Sequence, residues 1–245
     1  MKKMLIKFVM VLLVVGYSST GISEILMSKD IPDCDFEYKE LLKRMYSLMY
    51  EKKDIESAEN FFSVFSDCTG TNHRDAVMLD LKGEIARAKY LEDRNMAHFL
   101  TAEKNFVDAL KLKTTHDEYI LWHVSMLFMD GGNPVRAKAY INKLLGMDVI
   151  EDPNLYLGIA LRIAVLLNDW DSATKLINIL SKRYKYFYMR LSVLMPTVMT
   201  LCHQKRYDDA GTLIKNTKKA RPKVINGPDF KGIQEFYEKK CRLLK

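Results

Sequence analysis

Residues 134–145 read PVRAKAYINKLL, residues 170–181 read WDSATKLINILS and residues 207–218 read YDDAGTLIKNTK. In all three an Ala stands at the fourth position (Ala137, Ala173, Ala210) and an Ile at the eighth (Ile141, Ile177, Ile214). At 3.6 residues per turn these positions share one helical face, and the eleventh position (Leu144, Leu180, Thr217) extends it. The same frame continues toward the N-terminus. Ala102 has Phe99, Phe106 and Ala109 in the matching places, and Ala58 has Ile55, Phe62 and Phe65. The residue three before Ala is large in every copy except Pro134, with Trp170 and Tyr207 completing the set. Successive Ala residues are 44, 35, 36 and 37 positions apart. Such a period is the mark of a repeat architecture, and the long first step implies an insertion.

Between these segments the apolar spacing is also helical, at Leu41, Leu42, Met45 and Met49, from Leu155 to Leu167 and from Leu191 to Leu201, and no strand alternation appears. Thr115 with Glu118 reads as a capping box, and Asp152 before Pro153 as a cap ahead of Pro at the first helical position. Gly131, Gly132, Asn133 and Pro134 break the chain between two helices, while Pro222, Gly227 and Pro228 precede a last one. The expected fold class is all-α.

The repeat resembles the tetratricopeptide family, whose helix-turn-helix unit of about 34 residues has an Ala early in its second helix and an aromatic residue four later. First-helix positions of the family pattern fall on Leu42, Met45 and Met49; Leu121, Val124 and Phe128; Leu157, Ala160 and Ala164; and Leu194, Thr197 and Leu201. The second repeat aligns through Leu79 and Gly83 with about seven extra residues before Ala102. The family's small eighth residue survives as Gly83 and Ser125 but is Tyr46, Leu161 and Val198 elsewhere, and only Pro222 keeps the terminal Pro. The resemblance spans about Asp35 to Pro222. It implies a right-handed α-α superhelix of about five hairpins, closed by a helix from Asp229 to Leu244 whose Phe230, Ile233, Phe236 and Tyr237 cover the last repeat. The expected divisions are residues 1–23, 24–222 and 223–245: a signal peptide, the repeat domain and the closing helix.

That architecture selects a pairing for the four cysteines. Cys34 and Cys68 flank one hairpin, and Cys202 and Cys241 end two helices at one level, so structural bridges 34–68 and 202–241 are expected. A reactive redox pair would favour C-x-x-C spacing, which is absent. Metal-type cysteine spacing is absent too, and His73, His98, His116, His123 and His203 are scattered, so neither metal nor cofactor is expected. The family's groove positions carry across to Tyr119, Trp122, His123, Met126, Met129, Arg162, Met195 and Met199, an adaptable wall for a peptide or helix partner. Aromatic and Met residues at this spacing also serve plain core packing. The family's clamp for chaperone tails is not carried over, because Lys43 matches alone and Ser47 stands where Asn belongs.

Of 245 residues, 48% are hydrophobic and 28% charged, which excludes collagen-like, disordered and multispanning membrane classes. Lys2 and Lys3, an apolar run from Met4 to Val15 broken only by Lys7, and small residues to Ser23 read as an export signal with cleavage before Glu24. An uncleaved anchor is the competing reading, but the run is short of the roughly 20 residues a span needs. Hence a bacterial periplasmic or secreted protein is expected, with no transmembrane segment after cleavage.

The mature chain is electrically lopsided. Residues 24–181 hold 19 basic and 26 acidic residues, whereas 182–245 hold 16 and 5. Lys182, Arg183, Lys185 and Arg190, then Lys215, Lys218, Lys219 and Arg221, form a basic edge interleaved with aromatics. Such an edge suits an anionic envelope component or an acidic protein, nucleic acid being the poorest fit after export. Its cations also complement helix C-termini and can simply remain solvated. No catalytic constellation stands out: Glu151-Asp152 and Asp208-Asp209 sit at helix starts, and neither His123 nor His203 has a fixed nucleophile beside it. Two functions fit. One is an exported, non-enzymatic adaptor or scaffold for an envelope assembly such as a pilus or secretion apparatus, and the other an immunity-type or inhibitory protein clamping a toxin or enzyme.

Overall fold

The computed structural model describes residues 38–65, 70–148, 150, 152–183, 191–223 and 227–241, and among them the chain is all-α, with no strand. Eleven helices follow in order: α1 (Tyr38–Tyr46, extended by a π-helical turn Ser47–Glu51), α2 (Ile55–Ser63), α3 (Asn72–Asp93), α4 (Met96–Lys111), α5 (Asp117–Asp130) and α6 (Pro134–Leu145). Then come α7 (Pro153–Leu166), α8 (Trp170–Arg183), α9 (Leu191–His203), α10 (Tyr207–Ala220) and α11 (Pro228–Phe236), the last extended by a π-helical turn Tyr237–Cys241. Residues 1–37, with the expected signal and Cys34, lie outside the described residues, as do Cys68, Lys185, Arg190 and Leu244.

The helices pair as five hairpins, α1 with α2 through α9 with α10, and each pair turns through a left-handed residue. The residue before the second helix's cap is left-handed in every hairpin: Lys53, Arg94, Gly132, Asn168 and Lys205 have φ of 55°, 58°, 71°, 54° and 60°. In three hairpins the following N–H bonds a carbonyl five residues back (Asn133 to Phe128 at 2.8 Å, Asp169 to Ala164 at 2.8 Å, Arg206 to Leu201 at 2.9 Å), which closes the first helix in a Schellman motif. The next helix then starts from a side-chain cap. Asp54, Asn95, Asn133 and Asp169 accept the backbone N–H of Ser57, Ala97, Arg136 and Ser172. Of the five second helices, α10 alone starts without one.

The five Ala residues of the sequence frame are all 0% exposed, each where a second helix packs on its neighbours. Phe106, Ile141, Leu144 and Leu180 of the same frame are buried with them. Gly83 serves a similar end, since a Cβ there would stand 2.4 Å from the Phe106 ring, so only glycine lets α3 and α4 approach so closely. The insertion in the second repeat lengthens both helices: α3 has 22 residues and α4 has 16, with Ala102 seventh rather than fourth in its helix. Each hairpin also packs on the next, and α5 lies against α3 as α9 does against α7. The core is correspondingly divided into four apolar clusters, taken in turn by α1 to α3, α3 to α7, α7 to α9 and α9 to α11.

Two local expectations change. Helix α5 starts after His116 without a side-chain cap, and the box falls in the turn ahead of it, one residue earlier than Thr115 and Glu118 imply: Thr114 Oγ1 accepts the His116 N–H at 3.2 Å and Asp117 Oδ1 accepts the Thr114 N–H at 3.0 Å. The reason is that Glu118 is buried, its carboxylate acting on the Tyr156 hydroxyl instead. The closing helix begins at Pro228, and its Phe230 and Ile233 are buried against α9 and α10. Asp152 caps α7 as expected, its Oδ1 accepting the Leu155 N–H at 3.1 Å.

Candidate functional site

Three of the eight expected groove residues meet in one place. Arg162 on α7 and Met195 and Met199 on α9 line a cavity of about 660 Å³, with Asp229, Gly232 and Ile233 of α11 as its third wall. Val165, Leu166, Ser192 and Pro196 complete the lining. Leu166 is 53% exposed, an apolar side chain left at the rim. Pro196 lies inside α9 and has no N–H, so the Ser192 carbonyl one turn earlier loses its intrahelical partner on the groove side. Thus a largely apolar cleft carries one guanidinium, one carboxylate and a backbone acceptor, the mixture that suits a peptide segment. Neither Arg162 nor Asp229 forms an ion pair among the described residues.

The sequence pointed to Arg162, Met195 and Met199 by their places in the repeat. It missed α11 as a wall, because a closing helix is expected to cover the end of the stack rather than line a cleft. It also missed Pro196, whose only signal was a proline inside an apolar helical run.

The other five expected residues, all on α5, do not join this cleft. His123 is corrected out of any binding wall: it is 0% exposed, its Nδ1 lying 2.8 and 2.9 Å from the two Asp80 oxygens. Trp122 is half-buried between Tyr46, whose ring stacks on it at 6.0 Å, and Tyr156 at 6.4 Å, while its indole N–H is buried without a hydrogen-bond partner. Met126 and Met129 pack on the large central cluster, and Tyr119 packs on the N-terminal one. Packing explains all five.

What α5 does carry is one side of a polar ladder shared with α3. Three pairs have the same separation of 43: His73 with His116, Asp80 with His123, and Arg87 with Asp130. A constant offset means that α3 and α5 run parallel, and rungs seven residues apart fall at nearly two-turn intervals along the seam. The middle rung is wholly buried. Beside it Glu84, also buried, takes the Tyr50 hydroxyl at 2.9 Å and Arg87 Nη1 at 3.2 Å on both oxygens. Arg87 in turn gives its Nε to Asp130 at 2.7 Å, and the Tyr46 hydroxyl is buried close by.

Burial works against charge on His123, yet Asp80 and Glu84 outweigh it and lift the imidazole pKa above its ordinary value. Burial likewise opposes the Glu84 carboxylate, but Arg87 and His123 hold its pKa below the usual range. The signs fix the pH response. The His123 contribution is complete below the unfolded pKa of about 6.5 and is lost as pH rises through the folded value. The Glu84 contribution is complete above about 4.3 and is lost as pH falls through its folded value. The urea midpoint should therefore be highest between those limits and decline as pH rises through the folded His123 value. NMR titration should find that the His123 ring gives up its proton at a higher pH than a free imidazole does, and a ring that loses it at a lower pH would contradict this account.

Of the basic edge, Lys182 and Arg183 occupy the last turn of α8 and Lys218 and Lys219 the last turn of α10, all exposed, where they complement the helix C-termini. Lys215 and Arg221 are exposed on and just after α10. No group of three or more His, Cys, Asp or Glu residues close enough to surround a metal ion is present among the described residues. Nor is any helix among them long and apolar enough to cross a membrane. Compared with known proteins, the chain matches no family model, no curated protein and no solved structure.

Proposed function

We propose that the chain is an exported, non-enzymatic helical-repeat protein of the tetratricopeptide type, acting as an adaptor that grips a protein segment in the cleft between α7, α9 and α11. The observation that carries this reading is the cleft itself, which Met195, Met199, Leu166 and Ile233 line together with Arg162 and Asp229. Flexible Met side chains adapt to varied apolar residues, and the two opposite charges set direction on a bound segment. The repeat reading is supported by five hairpins that each turn through a left-handed residue, a buried Ala in each second helix, and the parallel seam of first helices α3 and α5. Such stacking favours a right-handed superhelix. The reading of residues 1–23 as an export signal places the work in a bacterial periplasm or outside the cell, as in a pilus or secretion apparatus. There the basic edge would add long-range attraction for an anionic envelope component.

The test uses envelope extract with the full mature chain and two rim variants, Leu166→Glu and Arg162→Glu, both at exposed positions. A partner bound through the cleft should be retained about tenfold less by Leu166→Glu. Circular dichroism should stay that of the wild type. Equal capture by both variants would move the interaction away from this cleft. A set of envelope components that are lost together supports the adaptor, and a single tight partner supports the inhibitory alternative.

A further inference from the structure

His73 and His116 are 43 residues apart and belong to no spacing that suggests a metal. Folding brings them face to face. His73 is the second residue of α3 and His116 immediately precedes α5, so the parallel seam places both at the same end of the ladder. Their Nε2 atoms are 3.0 Å apart, with ring centroids 4.3 Å apart and ring planes at 49°. The two nitrogens therefore meet at one point, close enough to share a single proton or a single metal ion.

Metal geometry favours the second occupant when the metal is offered. Imidazole nitrogens bind Zn2+ at about 2.0–2.1 Å. Two such ligands stand about 2.9 Å apart at a 90° angle and about 3.3 Å apart at a tetrahedral one. The observed 3.0 Å matches neighbouring positions of a square or octahedral ion and needs only a slight opening for a tetrahedral one. The carboxylates nearest the two histidines in sequence each accept a backbone hydrogen bond, Asp75 Oδ1 from the Gly70 N–H at 3.1 Å and Asp117 Oδ1 from the Thr114 N–H at 3.0 Å. Two nitrogens and no third protein ligand among the described residues define an open site, its remaining positions filled by water. Imidazole selects borderline ions over Mg2+ and Ca2+, which prefer oxygen.

We propose that His73 and His116 form a two-histidine site for a borderline divalent ion, Ni2+, Cu2+ or Zn2+, which clips the start of α3 to the start of α5. Because the two histidines come from neighbouring hairpins, the ion would cross-link adjacent units and oppose their separation, as any ligand of the folded state does.

The experiment titrates the tag-free mature chain with NiCl2, CuCl2 and ZnCl2 by calorimetry, with MgCl2 as the hard-ion comparison, beside His73→Gln and His116→Gln. The expected result is one ion bound per chain, loss of about tenfold or more in affinity in each variant, and no Mg2+ binding. The copper complex should show two equatorial nitrogens by electron paramagnetic resonance. Added Zn2+ should raise the melting temperature of the wild type and not that of His73→Gln. His73 is exposed, so that variant keeps the fold, and its melting in chelator should equal the wild type's. Wild-type affinity in both variants, or no binding of any of the three ions at millimolar concentration, would overturn the site.

Discussion

Arg87→Met should lower the stability of the chain by about 3–5 kcal/mol, read as a shift of the urea midpoint at constant slope. Arg87 is the only cation that pairs with Glu84 at hydrogen-bond distance among the described residues, through Nη1 at 3.2 Å to both carboxylate oxygens. Glu84 is 0% exposed. Without the guanidinium that carboxylate keeps the Tyr50 hydroxyl and the field of His123, but no longer has a charge in contact with it. An uncompensated buried charge is what makes breaking such a pair costly. Asp130 loses a 2.7 Å partner too, though at the edge of the network it can turn to water. Since a domain's whole stability is of order 5–15 kcal/mol, the variant should be close to unfolding at body temperature.

Glu84→Met combined with Arg87→Met should recover most of the loss, because an apolar pair of similar volume no longer pays for desolvating two charges. A cost below about 1 kcal/mol for Arg87→Met alone would mean that Glu84 takes up a proton or reaches water, and that the network does not hold the seam.

That network explains why part of the fold was hard to read. The Ala frame was legible because small size at a helix crossing is a packing demand that one residue type meets repeatedly, and the turns were legible through Asn133, Pro134, Asp152 and Pro153. The second repeat was not. Asp80, Glu84 and Arg87 fall at helical spacing on α3, and a charged stripe ordinarily marks the solvated face. Here it faces inward, which erases the amphipathic contrast of α3 and leaves only Leu79 and Gly83 to align. His123 looked like a groove residue for the same reason: its partner Asp80 is 43 positions away, and neither residue announces the other. The histidine pair at the open end of the seam was invisible on the same ground. Three of the groove residues were legible because repeat position alone places Arg162, Met195 and Met199 on first helices. The left-handed turn residues Lys53, Arg94 and Lys205 carried no signal, since lysine and arginine have no special preference for that conformation and adopt it only because the hairpin must turn there.

Replacing Cys202 and Cys241 with Ser should remove about 4 kcal/mol by the loop-entropy estimate for a 39-residue separation. The consequence should be local before it is global. The bond joins the end of α9 to the π-helical turn that extends α11, and α11 otherwise rests on α9 and α10 mainly through Phe230 and Ile233. A short helix held by two buried side chains is a candidate for separate opening. Hydrogen exchange should therefore accelerate in residues 228–241 well ahead of α5 or α7. Because Asp229, Gly232 and Ile233 form the third wall of the cleft, the same variant should lose partner affinity under conditions where the rest of the chain stays folded. Uniform acceleration across all helices would show instead that the bridge supports the whole stack. Unchanged exchange in α11 would show that apolar packing alone holds the wall.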